Sequence, residues 1–389
     1  MLRPFRKRKH NKVNTGNAMK RILQVVGGMN RAGAETFLMN VYRKLDRTKF
    51  QFDFLVYTDK KQDYEDEIIE LGGRVIHMPC RAGFGMIKSI RKIKRIIREY
   101  GPYVAVHAHT LHNIAFVLLA VKGCGDVKCI AHSHSTQNVL RASYLKKLYE
   151  RWSLRIIRKK SKYCLACGEE AGDYLFGERF RREGIIIRNG VDVGKYFCAE
   201  PIAMEEKREL GISSNELIIG SIARFCFIKN HAFMIEIAKQ LRQRGIAFKM
   251  LLIGQGELQQ EIAEKINAEG LDSTVLLLGI REDIPQLLKT MDVFLLPSLF
   301  EGNPVTLVEA QASGLPCVIS DTITEKIDMG LGLISRLSLD GDINIWVEEI
   351  LQAKDKAIFD SKKVVRAFNS KNYDIDSVVK LLTSIYEGD

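Results

Sequence analysis

Two glutamates separated by seven residues, Glu301 and Glu309, flank the point where an apolar strand-like run turns into a helical pattern. Asn303 is predicted to cap the helix and Pro304 to take its first position, where the missing N–H costs nothing. The first amides of the helix would then point outward at the carboxyl edge of a sheet, an arrangement that binds phosphate. Carboxylates accept hydrogen bonds from hydroxyls, so the pair could hold hydroxyls on either side of a bound diphosphate. A capped helix with two surface glutamates is the alternative.

Four stretches of the chain together resemble glycosyltransferase family 4. The stretch from Phe300 to Ala310, followed by Gly-Leu-Pro-Cys-Val at 314–318, resembles the E-x7-E signature of that family. The others are Ile222–Asn230 for the G-R-x4-K-N turn, with Ala223 replacing the usual Gly, Leu252–Leu258 for the G-x-G-x-L segment, and Asn189-Gly190-Val191-Asp192 followed by Phe197 for the interdomain N-G-V-D-x-x-x-F stretch. The resemblance extends from Met19 onward and is greatest to enzymes of bacterial exopolysaccharide and capsule assembly. It implies retaining glycosyl transfer on a GT-B fold.

The elements that must position these residues alternate between strand-like and helical patterns in both halves of the chain, which is typical of parallel α/β sheets. Predicted strands lie at 20–26, 51–57, 74–78, 103–108, 128–132, 163–167, 185–187, 217–222, 248–253, 274–278, 292–296 and 316–319. The expected fold is therefore α/β, with two Rossmann-like parallel-sheet domains facing a central cleft.

The domain limits follow from a shift in composition near 189–205. We expect an N-terminal domain at 19–190 that faces the acceptor and the membrane, and a C-terminal domain at 191–365 that binds the nucleotide-sugar. The resemblance implies that a last helix, within 366–389, crosses back to the N-terminal domain. Residues 1–18 are basic and are expected to form a disordered extension.

Composition favours a cytoplasmic globular protein. The 389 residues are 46% hydrophobic and 27% charged, and no apolar run approaches the roughly 18 residues that a membrane span needs. The longest such run, Ile114 to Val121, is predicted to be a buried helix. The eight cysteines are scattered, and the one close pair, Cys164 and Cys167, has no second pair to complete a zinc site. Structural cysteines in a reducing compartment are the expectation.

The net charge of +12 is unevenly distributed. Residues 1–198 carry 39 Lys or Arg against 18 Asp or Glu, a net +21, whereas residues 199–389 carry 20 against 29, a net −9. Two basic amphipathic segments, Met86–Arg98 and Arg141–Lys162, hold six and nine cations respectively. Such helices suit an anionic lipid surface, so we expect peripheral attachment at the inner face of the plasma membrane. In the alternative interpretation, their apolar stripes pack on the sheet and the cations are only solvated. No nucleic-acid motif accompanies the charge.

A glycine-containing loop, Gly27–Thr36, follows the first predicted strand and leads into a helix. Its spacing is neither G-x-G-x-x-G nor a P-loop, which argues against dehydrogenases and kinases. The resemblance implies that Gly33 lies beside the donor diphosphate, although Ala32 stands where a second glycine is common. A plain turn is the alternative.

Two histidine pairs follow strand-like runs, at His107 and His109 and at His132 and His134. Alternating histidines could ligate a metal, but no acidic or cysteine partner lies nearby in the sequence. The resemblance implies that His134 reaches the donor sugar as part of the catalytic set, and that His109 and Asn113 line the acceptor side. Packing roles are expected for His107 and His132.

The remaining site residues also come from the resemblance. Arg224 and Lys229 are expected to clamp the donor phosphates and to stabilise the leaving nucleoside diphosphate, so that neither a metal nor a cofactor is needed. Glu309 would hold the ribose and Glu301 the hydroxyls of the transferred sugar, and Glu301 is not expected to act as a nucleophile. The other donor-binding residues would be Gly254, Arg281 beside the base, and Gly302, Asn303, Pro304 and Val305 around the phosphate. The Asp340-Gly-Asp342 sequence is expected to be a surface loop.

These patterns predict a hexosyltransferase of the EC 2.4 class. It would move a sugar from a nucleotide donor, UDP-linked in our expectation, to a saccharide carried on polyprenyl diphosphate, in exopolysaccharide or capsule assembly. A sugar-nucleotide epimerase or a phosphorylase of the same fold and a noncatalytic membrane scaffold are the alternatives. The sequence does not specify the sugar, the accepting hydroxyl or the oligomeric state.

Overall fold

The structure is a computed structural model, and it describes residues 19–79, 85–134 and 144–388. The basic extension predicted at 1–18 lies outside the described residues. Within them the chain forms two parallel sheets.

The first sheet has the strand order β3-β2-β1-β4-β5-β6-β7. Its strands are β1 (Lys20–Val26), β2 (Phe50–Val56), β3 (Arg74–His77), β4 (Ala105–Ala108), β5 (Lys128–Ser133), β6 (Tyr163–Ala166) and β7 (Ile185–Ile186). The helices that connect and cover them are α1 (Gly33–Lys44), α2 (Glu65–Glu70), α3 (Met86–Tyr100), α4 (Ile114–Val121), α5 (Tyr144–Lys160), α6 (Glu169–Phe176) and α7 (Arg179–Glu183).

The second sheet has the order β10-β9-β8-β11-β12-β13. Its strands are β8 (Leu217–Ile222), β9 (Phe248–Ile253), β10 (Val275–Gly279), β11 (Val293–Leu296), β12 (Cys317–Ser320) and β13 (Ile334–Leu337). The helices of this half are α8 (Val193–Phe197), α9 (Met204–Glu209), α10 (His231–Gln243), α11 (Gln259–Ala268), α12 (Ile284–Thr290), α13 (Val305–Ala312), α14 (Ile343–Ala353), α15 (Ser361–Ser370) and α16 (Ile375–Glu387). Two Rossmann-like sheets confirm the predicted fold class.

The sequence pattern missed one strand, β13. Its sequence, Ile-Ser-Arg-Leu, contains two polar residues and has no apolar run, because the strand lies at the edge of the sheet and pairs only with β12. The Arg336 guanidinium turns away and donates hydrogen bonds to the carbonyls of Ile323 and Thr324. An edge strand of this kind carries little of the hydrophobic signal that reveals central strands.

The last helix, α16, packs on the first sheet although it follows the second in the chain. Ile375, Val378, Leu382 and Ile385 are buried in the same apolar cluster as residues of β1, β2 and α1. A bridge between Val191 and Asp374 ties the start of this helix to the interdomain stretch. The domain limits at 190 and 365 stay a prediction. Across the described ranges, every helix is too short or too polar to cross a membrane.

Candidate active site

A cavity of about 320 Å³ lies between the two sheets. Its walls come from loops that follow the carboxyl ends of strands, with His134 after β5, Cys167 after β6, Lys229 after β8 and Glu301 after β11. Parallel α/β sheets place ligand-binding groups at this edge. A larger cavity, of about 700 Å³, lies at the amino ends of β1 and β5, and none of the predicted site residues lines it.

Lys229 and Glu301 form an ion pair through Nζ and Oε1 in this cavity. Both side chains are mostly buried, at 19% and 15% exposure, and the Ser298 hydroxyl lies 3.4 Å from the same carboxylate oxygen. The cation expected to bind phosphate and the carboxylate expected to bind sugar are therefore partners in this structure. An anionic diphosphate placed beside Lys229 would compete with Glu301 and free that carboxylate to accept hydroxyl hydrogen bonds.

The helix after Glu301 begins one residue later than the sequence predicts. Pro304, not Asn303, occupies the N-cap position of α13, with φ −69° and ψ 111°, and the first helical residue is Val305. The predicted cap is wrong because the Asn303 amide is used elsewhere: Nδ2 donates to the Cys167 carbonyl at 3.4 Å, across the cleft. Oδ1 of Asn303 is buried and has no partner among the described residues. No side chain therefore caps the first amides of α13, and Oδ1 of Asn303 beside them has no hydrogen-bond partner among the described residues.

Loops from the two halves touch around this helix start. A Cβ built on Gly33 would lie 3.6 Å from Cγ2 of Val305, so the glycine loop after β1 reaches the first residue of α13. Arg31 forms an ion pair with Glu282. Gly254 has φ +132° and packs closely against the neighbouring turn. A Cβ there would lie 2.1 Å from the Ala223 carbonyl oxygen, so that only glycine fits.

Glu309 lies deeper than its partner glutamate and is 4% exposed. Burial raises the pKa of Glu309 to about 7, although a hydrogen bond from Tyr196 and the positive charges of Lys195 and Arg43 oppose that rise. The Tyr196 hydroxyl donates to Oε1 at 2.6 Å. The sequence pattern singled out Phe197 instead, but Tyr196 is the aromatic that has three residues between it and Asp192, so the spacing could have identified it.

Two predicted donor-binding arginines are already paired. Arg224 is 72% exposed and lies 2.9 Å from a carboxylate oxygen of Glu257. Arg281 holds both Glu206 and Asp283. The structure therefore does not bring these two arginines to the Lys229–Glu301 pair, and a ligand would have to draw them away from their present partners. On the acceptor side, Asn113 accepts a hydrogen bond from the Tyr149 hydroxyl.

The four histidines of β4 and β5 lie together, with His134 at the cavity. Burial lowers the pKa of each, to about 4 for His134, so all four are neutral. Ligand atoms of His107, His109 and His132 lie within 4.8 Å of one another. Their ring nitrogens are used in hydrogen bonds, however, and only Nε2 of His132 lacks a partner among the described residues. This donor set fits a hydrogen-bonded array better than a metal cage.

Other candidate groups have structural roles. The Cys164 and Cys167 thiols are buried, and burial raises the pKa of each to about 11, which disfavours the reactive thiolate. Asp342 caps α14 by accepting a hydrogen bond from the Asn344 amide at the surface.

Two Rossmann-like sheets facing a cleft that holds an E-x7-E pair define a GT-B glycosyltransferase. Residues 31–195 match the family model described as Glycosyltransferase Family 4, and residues 216–353 match that described as Glycosyl transferases group 1. The chain belongs to glycosyltransferase family 4, and it is a glycosyltransferase of polysaccharide biosynthesis. The enzyme class predicted from the sequence, a transferase of EC 2.4, is confirmed.

Relatives along the full length support this assignment. The chain is 42% identical over 372 residues to EpsF of Bacillus subtilis (strain 168), described as a glycosyltransferase. The aligned residues cover 95% of this chain and 97% of that protein. It is 23% identical to CapH of Staphylococcus aureus, a capsular polysaccharide biosynthesis glycosyltransferase, over 95% and 99% of the two chains. A crystal structure of HepE from Anabaena with UDP and glucose superposes with a TM-score of 0.74 at 17% identity, over 95% and 100% of the two chains, and so shows the same fold.

The raised pKa of Glu309 predicts a pH effect on stability. The folded protein keeps this carboxyl protonated up to about pH 7, whereas the unfolded chain ionises it above its ordinary value of 4.5. The contribution of Glu309 to the free energy of unfolding is therefore largest below pH 4.5. It falls by up to about 3 kcal/mol as the pH rises to 7. Glu309→Gln should remove this loss, so its advantage over the unmodified protein should grow between pH 4.5 and 7 in urea unfolding.

The matched control is Glu261→Gln, which neutralises an exposed glutamate on α11. It should give a difference in unfolding free energy that stays level over the same pH range. A Glu309→Gln difference that is equally level would contradict the buried, protonated state of Glu309.

Proposed function

We propose that this protein transfers a hexosyl group, with retention of configuration, from a UDP-sugar to a saccharide carried on polyprenyl diphosphate. The observation that carries the proposal is the Lys229–Glu301 ion pair beside the uncapped start of α13, inside a cavity between the two sheets. That arrangement combines a cation, free helix amides and a carboxylate, which together match a diphosphate joined to a sugar.

The donor's phosphates would lie at the first amides of α13, around Gly302 to Val305, with Lys229 as the charged partner. The helix N-terminus favours negative charge, and the lysine adds a full positive charge in a partly buried site. These fixed groups would stabilise the nucleoside diphosphate as it leaves, and no residue here requires a metal to do so. Arg224 is exposed and would have to leave Glu257 to join them.

The sugar and the ribose would lie on either side of the diphosphate. Glu301, released from Lys229, would accept hydrogen bonds from sugar hydroxyls opposite His134, and Glu309 would accept those of the ribose. The acceptor hydroxyl would attack the anomeric carbon on the face from which the phosphate oxygen departs. That oxygen would take the hydroxyl proton, so the bond to phosphate breaks as the new glycosidic bond forms. Glu301 is not a nucleophile in this scheme, because it serves to orient the sugar.

A lipid-linked acceptor is supported by the surface of the N-terminal half. Ile87 at the start of α3 and Leu145 at the start of α5 are 63% and 76% exposed, while Ile93, Ile96 and Ile97 of α3 are buried against the fold. Apolar side chains at the ends of two basic helices suit contact with an anionic bilayer.

The names of two similar proteins point the same way. The Escherichia coli relative at 24% identity, over 92% of this chain and 94% of that protein, is a UDP-Gal:alpha-D-GlcNAc-diphosphoundecaprenol alpha-1,3-galactosyltransferase. HepE from Anabaena has also been crystallised with UDP-glucose. A UDP-sugar donor and a polyprenyl diphosphate acceptor are the substrates that we infer from them for this chain.

Nucleotide release from a panel of UDP-, GDP- and ADP-sugars, with and without a bacterial lipid extract, tests the proposed activity. We expect lipid-dependent release from one UDP-sugar. Glu309→Ala should abolish the release, and Lys229→Ala should lower kcat/KM by about 10²- to 10³-fold, as for the loss of one donor to a leaving anion. Glu261→Ala on the exposed face of α11 is the control and should leave the rate unchanged.

Two outcomes would contradict the proposal. Donor consumption without any lipid acceptor would indicate an epimerase or a hydrolase of the same fold. Absence of both release and donor binding across the panel would favour a noncatalytic scaffold.

Cosedimentation with vesicles tests the membrane contact. Lys88→Glu with Arg91→Glu reverses two exposed charges of α3, and should weaken binding to vesicles containing phosphatidylglycerol at least about tenfold, since each cation near such a surface contributes about 1 kcal/mol. Lys362→Glu with Lys363→Glu makes the same charge change on the exposed face of α15 and should have little effect. Equal losses from the two double variants would contradict a surface located on α3.

A further inference from the structure

A single file of hydrogen bonds runs from the cleft into the first sheet and includes the last helix of the chain. His134 Nε2 lies 2.8 Å from His109 Nδ1, and His109 Nε2 lies 2.9 Å from Gln24 Oε1. Gln24 Nε2 then donates to the Tyr386 hydroxyl at 3.3 Å. The file therefore joins β5, β4, β1 and α16 through four side chains, of which Gln24 and Tyr386 are buried.

The file continues beyond Tyr386 to two further histidines. The Tyr386 hydroxyl lies 2.8 Å from His107 Nδ1, and His107 Nε2 lies 3.2 Å from His132 Nδ1. Tyr386 is 2% exposed, and its ring makes edge contacts with Phe52 and with His107. Its hydroxyl is thus held at one position between Gln24 and His107.

The amide of Gln24 gives this file a direction. Because Nε2 of Gln24 donates to Tyr386, Oε1 must accept, so the proton of His109 lies on its Nε2 and its Nδ1 is bare. A bare Nδ1 on His109 requires His134 to donate from Nε2, which leaves Nδ1 of His134 without a proton. On the other side, Tyr386 accepts from Gln24 and donates its own proton to His107. Each imidazole is neutral because burial lowers its pKa, so one proton per ring satisfies every bond.

We propose that Gln24 and Tyr386 are positioning residues that hold His134 in the tautomer with an unprotonated Nδ1, ready to accept a hydrogen bond from a hydroxyl of the bound sugar. His134 lines the cavity, and its Nδ1 is buried with no partner among the described residues. A buried acceptor without a partner is costly, so a hydroxyl that reaches it gains more than it would in water. The second part of this inference rests on the proposed function, whereas the tautomer itself does not.

The file also gives the crossing helix a chemical task in addition to packing. Gln24 and Tyr386 are 362 positions apart in the sequence, and they meet only because α16 returns to the first sheet. In this inference the tautomer of His134 therefore depends on the hydroxyl of Tyr386, which α16 supplies.

Tyr386→Phe tests the inference, with Tyr42→Phe as the matched control. Both tyrosines are buried in the first domain's core, and each hydroxyl makes two hydrogen bonds, but Tyr42 bonds to Gln51 and the Leu71 carbonyl outside the file. Imidazole ¹⁵N NMR distinguishes a protonated from an unprotonated ring nitrogen and needs no substrate. We expect Nδ1 of His134 to be unprotonated in the intact protein and in Tyr42→Phe, and to become partly protonated in Tyr386→Phe, because the Gln24 amide is then free to turn over.

Kinetics supply the second readout. With the donor and acceptor found active, Tyr386→Phe should lower kcat/KM for the donor about tenfold, the loss of one hydrogen bond, while Tyr42→Phe stays within twofold. Gln24→Met breaks the file at a second point and should reproduce both effects. If thermal melting shows that Tyr386→Phe does not fold, Gln24→Met alone tests whether breaking the file changes the His134 tautomer and kcat/KM.

The outcomes separate the inference from the proposed function. A protonated Nδ1 in the intact protein, or an unchanged tautomer in the variants that fold, overturns the positioning role whether or not the protein transfers sugar. A changed tautomer with unchanged kcat/KM overturns the link to the sugar alone. Absence of any transfer, with the expected NMR result, would sink the proposed function while leaving the tautomer assignment in place.

Discussion

The ion pair between Lys229 and Glu301 is the interaction on which the site depends. Both charges lie mostly out of water, where a lone lysine or a lone carboxylate would be costly, and each compensates the other. If a diphosphate replaced Glu301, Lys229 would still have an anionic partner, so its buried charge would remain compensated. The carboxylate that it displaces then needs new hydrogen-bond donors, and sugar hydroxyls are suitable ones. One rearrangement would thus prepare the groups for both parts of a nucleotide-sugar.

The fold supplies this pair by bringing two loops to one sheet edge. Lys229 ends the turn after β8 and Glu301 follows β11, and these strands are neighbours in the second sheet. The first sheet contributes the opposite wall through His134 and Cys167, because its own carboxyl edge faces the same cavity. Gly33 of the same half lies against Val305 at the start of α13. Glu309 is a buried acid next to Tyr196, Lys195 and Arg43. Burial raises its pKa by more than these three neighbours lower it, so the protonated form is favoured.

Local patterns predicted most of the framework and much less of the site's internal contacts. Apolar runs and turn residues indicated the central strands, and they missed only β13, whose polar edge position leaves a weak signal. The E-x7-E spacing and the resemblance of the turn at 222–230 singled out Lys229, Glu301 and Glu309, and the structure pairs the first two. The predicted cap at Asn303 was wrong, because a contact with Cys167 in the other half determines where that amide points. Gln24 and Tyr386 bond to partners far away in sequence, which no local pattern encodes. Tyr196 was missed although its spacing from Asp192 could have identified it. The present pairing of Arg224 and Arg281 could not be predicted for the same reason.

A crystal structure of the protein with bound UDP tests the central claim most directly. The account predicts diphosphate oxygens within hydrogen-bond distance of the amides at the start of α13 and of Lys229 Nζ, with the ribose hydroxyls on Glu309 and the Glu301 carboxylate released. UDP bound elsewhere, for example in the larger cavity at the amino ends of β1 and β5, with the Lys229–Glu301 pair intact, would contradict it.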